Sequence, residues 1–127
     1  MPTRQIEPDQ WKAFLEEFSR RHQGAFVAVE TADPEDGTQE ETKEMPFLGI
    51  SFEVKGSEAD SVEVIVGTEA EDHITHTIFR PKKIYHKEAA GLISDEVNRD
   101  EILEITSADD PPITYLRFRH GNRTNPR

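Results

Sequence analysis

Two histidines three positions apart, His73 and His76, lie in the stretch His73-Ile74-Thr75-His76-Thr77-Ile78 and are the first residues to test for chemistry. On a helix that spacing would bring both rings to one face, where a metal ion could bridge them. On a strand, successive side chains alternate and the two rings point to opposite faces. The segment is β-branched and alternating, so it reads as a strand and a shared metal site is not expected. With Ile74 and Ile78 facing inward, His76 falls between them as a part-buried imidazole hydrogen-bonded to backbone or to an acid. Its sharper role is that of an acid or base in a pocket, with Thr75 or Thr77 beside it. His76 is thus the one catalytic candidate.

Arg80, Lys82, Lys83 and Lys87, interleaved with Tyr85 and His86, form the one internal basic cluster. It could contact phosphate or a stacked base, which makes Thr77, Arg80 and Tyr85 the candidate ligand-binding residues. Lysines near Pro81 are equally what an edge strand uses against aggregation, and that reading is preferred. The acids at Glu69, Glu71 and Asp72 read as solvated, since glycosidase-type chemistry needs two carboxylates fixed across a cleft. A calcium loop built on Gly37 would need carboxylates at Ala32, Pro34 and Lys43, and fails. Neither Gly-x-Ser-x-Gly, nor a phosphate loop, nor a dinucleotide fingerprint occurs, so no metal and no cofactor is expected.

Positioning these residues requires one helix and a string of strands. From Ile6 to Gly24, Trp11, Phe14, Leu15 and Phe18 recur at i, i+3, i+4 and i+7, which predicts an amphipathic helix over about 8–23. Pro8 suits its first turn, Arg20, Arg21 and His22 its last, and Gly24 its C′ position. Strand chemistry then runs from residue 25 to 119. Ala25–Thr31 ends at the turn Asp33-Pro34-Glu35-Asp36-Gly37. Thr38–Lys55 reads as one long strand interrupted at Pro46, with Leu48, Ile50, Phe52 and Val54 on one face. Ser61–Gly67 returns with Val62, Val64 and Val66 together. Asp72–Phe79 and Lys82–Lys87 form a pair, or one strand bent at Pro81. Proline has no ladder N–H, so Pro46 and Pro81 mark edges, bulges or corners. Ala89–Arg99 reads as a loop or a helical turn. Glu101–Ser107 and Ile113–Arg119 make a final hairpin around Asp109-Asp110-Pro111-Pro112.

The expected fold is therefore α+β and mainly β. An N-terminal amphipathic helix packs on a strongly bent antiparallel meander sheet or a small SH3/Sm-like barrel. The chain of 127 residues is read as a single domain over 1–119 with a frayed tail at 120–127. Only 34% of its residues are hydrophobic, so the core is small. The absence of cysteine excludes disulfides and thiolate chemistry. Without an apolar leader or a run of about 20 apolar residues, the expected setting is cytoplasmic, with no membrane partner.

The net charge is −11, with acids crowded over residues 30–44 and arginines at 117, 119, 123 and 127. An acidic body disfavours nucleic acid as a partner. Edge strands allow a monomer or a weak homodimer.

The opening Pro2-Thr3-Arg4 with Trp11 and Phe18, the strand Leu48-Gly49-Ile50-Ser51 and His73–Ile78 followed by Pro81 carry a resemblance. Leu103-Glu104-Ile105-Thr106-Ser107 and Leu116-Arg117-Phe118 complete it. Over residues 2–119 the chain resembles a bacterial domain-of-unknown-function family of small acidic, cysteine-free proteins. The resemblance implies a bacterial origin and a stand-alone domain, and transfers no site residue. The leading expectation is a non-catalytic binding or accessory module for a partner protein or small ligand. An enzyme with a His76-centred pocket is the alternative, and single-stranded RNA binding by a small barrel is a third.

Overall fold

The computed structural model describes residues 3–35, 37–54, 56, 60–68, 72–89 and 100–119. The chain runs β1 (Thr3–Ile6), a 3-10 turn (Pro8–Gln10), α1 (Trp11–His22), β2 (Phe26–Asp33), β3 (Gly37–Glu53) and β4 (Ser61–Gly67). It continues through β5 (His73–Phe79), β6 (Pro81–Ala89), β7 (Asp100–Ser107) and β8 (Ile113–Arg119). All ladders among the described residues are antiparallel, in the order β1-β6-β7-β8-β2-β3-β4-β5. Two meanders, β2–β5 and β6–β8, are joined by the β2–β8 ladder, and β1 and β5 end the order. Among the described residues the sheet is open and strongly curled, with one α-helix on it, so of the two sequence readings the bent sheet holds and the closed barrel does not. The expected loop or helical turn over 90–99 and the expected tail over 120–127 lie outside the described residues.

The curl has identifiable causes. β3 is 17 residues long and belongs to both halves, pairing β2 through Pro46 and β4 from Phe47. Pro46 stands where one ladder hands over to the other, so its missing N–H costs little. Register shifts flank it on both sides. The shift between Phe47 and Gly49 lets Phe47 and Ile50, three apart, both reach the core. Val54, in phase with Ile50 and Phe52, lies beyond the end of the strand at Glu53 and is exposed, not on the buried face as expected.

Of the two readings for residues 72–87, the bent strand holds: β5 pairs β4 while β6 pairs β1 and β7. Arg80 makes the corner at φ 51, in the left-handed region unusual for a side-chain-bearing residue. Two backbone bonds fix it, from Arg80 N–H to Asp60 O (3.0 Å) and from Ala108 N–H to Arg80 O (3.1 Å). β1 covers β6 over Ile84–Lys87, which corrects the edge-protection reading for Lys87, whereas Lys82 and Lys83 lie beyond that ladder. Thr3–Ile6, for which the sequence suggested no strand, pairs along β6. The Trp11 indole N–H donates to Ile6 O at 2.9 Å and ties that strand to the helix start.

α1 spans fewer residues than the periodicity suggests because Pro8–Gln10 forms a 3-10 turn. Its buried positions are Trp11, Leu15, Phe18 and His22. Phe18 sits at the centre, with its ring centroid 5.2 Å from that of Phe118 and 6.4 Å from that of Phe47. Val27, Val29, Val62, Val64, Val66, Ile84, Leu103, Ile105 and Leu116 complete a core with no exposed surface. Ser19 pins the helix to β3: its Oγ donates to Ile50 O and accepts from Ile50 N–H, both at 2.8 Å. No helix among the described residues is long and apolar enough to cross a membrane.

Candidate functional site

Two places concentrate chemistry, and β7 connects them. Glu101 and Ser107 lie six residues apart on that strand, about 20 Å at the usual rise.

At the Ser107 end is a pocket of about 170 Å³ lined by β5, β2, β8 and the β7–β8 turn. Val29 and Ile78 supply apolar wall; Thr31, Thr77, Thr114 and His76 supply hydroxyls and an imidazole; Asp110 and Pro111 close one side. His76 is half-buried, as the alternation predicts, and lines the pocket rather than being sealed in apolar packing. Ile74, expected to flank it on the core face, is 45% exposed, because it lies near the outer end of the last strand of the sheet.

The rim is braced by hydrogen bonds. Ser107 Oγ donates to Phe79 O at 2.6 Å and accepts from Asp109 N–H at 2.8 Å. Arg80 Nη1 donates to Asp109 Oδ2 at 2.9 Å on the outside. Of the residues singled out from sequence, His76 and Thr77 meet in the pocket. Arg80 braces the rim from its corner. Tyr85 is elsewhere, in the middle of β6 between Gln5 and Glu104. The basic cluster is divided, since Arg80 pairs with Asp109 and Lys87 Nζ lies 2.7 Å from Glu104 Oε1.

At the other end of β7 the helix and sheet enclose a His–Glu–His cluster. Glu101 follows the inward alternation of Leu103 and Ile105, so a carboxylate occupies a core-facing position with 8% of its side chain exposed. His22 Nε2–H donates to its Oε1 at 2.7 Å, and His86 Nε2–H to its Oε2 at 2.6 Å. Burial alone would push the Glu101 carboxyl up. The hydrogen bonds and positive charge of the two histidines outweigh burial and hold it far below the ordinary carboxylate range. An anionic carboxylate only accepts, so both Nε2 atoms carry protons.

His22 Nδ1 faces Phe18 O, another acceptor, at 3.1 Å. His22 also stacks on Phe18, with centroids 4.0 Å apart. The rings of Phe14 and Phe18 stand T-shaped to that of His86, with centroids 5.8 and 6.0 Å away. The sequence did carry a signal for this cluster. His22 continues the stripe 11, 15, 18, 22, His86 is in phase with Ile84, and Glu101 is in phase with Leu103, so three polar residues stand at core positions.

A family of unknown function, DUF5335, matches residues 2–124. A protein of Aquifex aeolicus (strain VF5), described as an uncharacterized protein, is 34% identical over 94 residues. That alignment covers 74% of this chain and 78% of the relative. No solved structure matches the chain.

Proposed function

We propose that this chain, which belongs to the DUF5335 family of unknown function, is a non-catalytic binding module taking a small polar group in the His76 pocket. The supporting observation is the convergence of Thr31, Thr77, Thr114 and His76 on one concavity with an apolar wall and a braced rim. Such a mixture suits recognition: apolar surface supplies affinity and a few fixed polar groups supply orientation. The pocket is well below the roughly 300–1,000 Å³ that takes drug-sized molecules. It fits a short hydroxyl-bearing or carboxamide-bearing ligand, or one polar side chain of a partner protein. A cytoplasmic setting goes with this reading, on the cysteine-free composition.

Amide NMR of the full chain during titration with small polar fragments tests it. Expected shifts cluster on Thr77, Ser107, Asp110 and Thr114 and are abolished by the rim-filling variant Thr77→Trp. Shifts scattered over the surface, or unchanged in that variant, would overturn the reading. Because Asp110 shares the pocket with His76, acid–base chemistry is the second reading. It requires turnover that His76→Ala removes while fragment binding persists.

A further inference from the structure

We infer that His86, Glu88 and Glu101 form a binding site for a first-row divalent cation, with Zn²⁺ as the test ion. The strand geometry brings the donors together. His86 and Glu88 are two apart on β6 and share a face, and Glu101 is the register partner of Glu88 on β7. One ring nitrogen and two carboxylate oxygens lie within 4.8 Å of one another. Like charges directly opposite on neighbouring strands repel, and a cation between Glu88 and Glu101 removes that cost.

The donor set selects the class of ion. Calcium takes about six to eight oxygens, whereas one imidazole and two carboxylates suit zinc and its neighbours. Zinc holds nitrogen and carboxylate oxygen near 2.0–2.2 Å, so its tetrahedral donors stand about 3.4 Å apart. His86 Nε2 and Glu101 Oε2, now 2.6 Å apart, would open by less than about 1 Å. Glu88 is exposed and can swing inward.

At present a proton on His86 Nε2 sits between these two atoms. Cation binding takes its place: the proton leaves to water and the Nε2 lone pair coordinates the metal. A fourth position remains open to solvent on the Glu88 side. His22 stays outside the metal's first contacts and donates to the free Oε1, the outer support that orients a ligating carboxylate. The rings of Phe14 and Phe18 make the dry side. Arg4, the register partner of His86 on β1, places its guanidinium over the Phe14 ring at 5.7 Å.

The full-length chain, stripped with EDTA, is titrated with Zn²⁺ in competition with a chromophoric chelator. One ion per chain is expected in the wild type. Glu88→Gln alters an exposed side chain and retains the fold, and is expected to weaken binding at least about tenfold, as is His86→Gln. The double variant His73→Ala/His76→Ala retains wild-type affinity. Circular dichroism confirms that each variant is folded. Absence of binding at millimolar Zn²⁺, binding that persists in Glu88→Gln, or binding lost with His73 and His76 would each overturn the assignment.

Discussion

Replacing Glu101 measures what the buried cluster contributes, and the cost follows from its geometry. The carboxylate accepts two short bonds from histidines whose side chains are only 5% and 16% exposed, so solvent screening is slight. Hydrogen bonds to charged groups contribute about 1.5–3 kcal/mol each, against about 0.5–1.5 for neutral pairs. Glu101→Gln keeps the shape. Its amide oxygen still accepts from His86 Nε2–H, and its NH₂ donates to His22 once that ring is neutral with the proton on Nδ1. Both bonds survive as neutral ones, and the loss is about 2–3 kcal/mol. Glu101→Ala leaves two buried imidazoles facing a void and costs about 3–5 kcal/mol.

That loss is a large part of the roughly 5–15 kcal/mol that holds such a domain together. Urea unfolding at pH 7 with EDTA present, analysed by linear extrapolation, resolves the two variants. A cost under about 1 kcal/mol for Glu101→Ala would refute the reasoning. So would equal costs for Ala and Gln, since the ranking rests on the retained acceptor.

The same group makes a pH prediction with a definite sign. Its folded-state carboxyl is held below the unfolded value of 4.5, so its contribution is fully present above that pH. The contribution fades as pH falls below 4.5 toward the depressed folded value. On the acid side, the stability gap between wild type and Glu101→Gln, followed by urea unfolding in EDTA, should therefore shrink as pH falls below 4.5. A gap that widens on acidification would contradict it. Gly67 tests the β4–β5 turn: its φ is 142, and an added Cβ would collide with Asp72 O and His73 Cα. Gly67→Ala should cost at least about 1–3 kcal/mol in the same assay, and a neutral result would mean that the turn relaxes freely.

The fold was legible where one period dominated. Trp11, Leu15 and Phe18 disclosed the helix, and Val62, Val64 and Val66 disclosed a strand buried on one face. It was less legible where tertiary contacts set the outcome. Thr3–Ile6 has no alternation of its own and is a strand because β6 offers it a ladder. The register shift at Phe47–Gly49 depends on the handover between two neighbouring strands, which no local pattern encodes. At the candidate sites, alternation was enough to half-bury His76. The place of Asp110 and Thr114 beside it depends on β8 lying next to β2, a long-range pairing. His22, His86 and Glu101 were readable one at a time as polar residues in apolar phase. Their meeting joins positions 79 residues apart and needs the helix laid across β6 and β7.

The positions of both candidate sites follow from the way the sheet is filled. Phe18, Phe47 and Phe118 pack edge to face in the middle, and the valines of β2 and β4 close around them, leaving no room there for a polar group without a partner. Polar chemistry is therefore displaced to the two ends of β7. At one end the last turn of α1 lowers His22 onto Glu101, and the cluster is buried because the helix roofs it. At the other end no helix among the described residues lies over the sheet, and the curl brings β5 over β2 and β8 without a ladder between them, so a concavity remains. A roofed, charge-satisfied cluster suits holding an ion or fixing the helix. An unroofed concavity with hydroxyls suits a ligand that exchanges with solvent. The two roles are separable: variants at Glu88 should leave fragment binding at Thr77 intact, and variants at Thr77 should leave cation affinity intact.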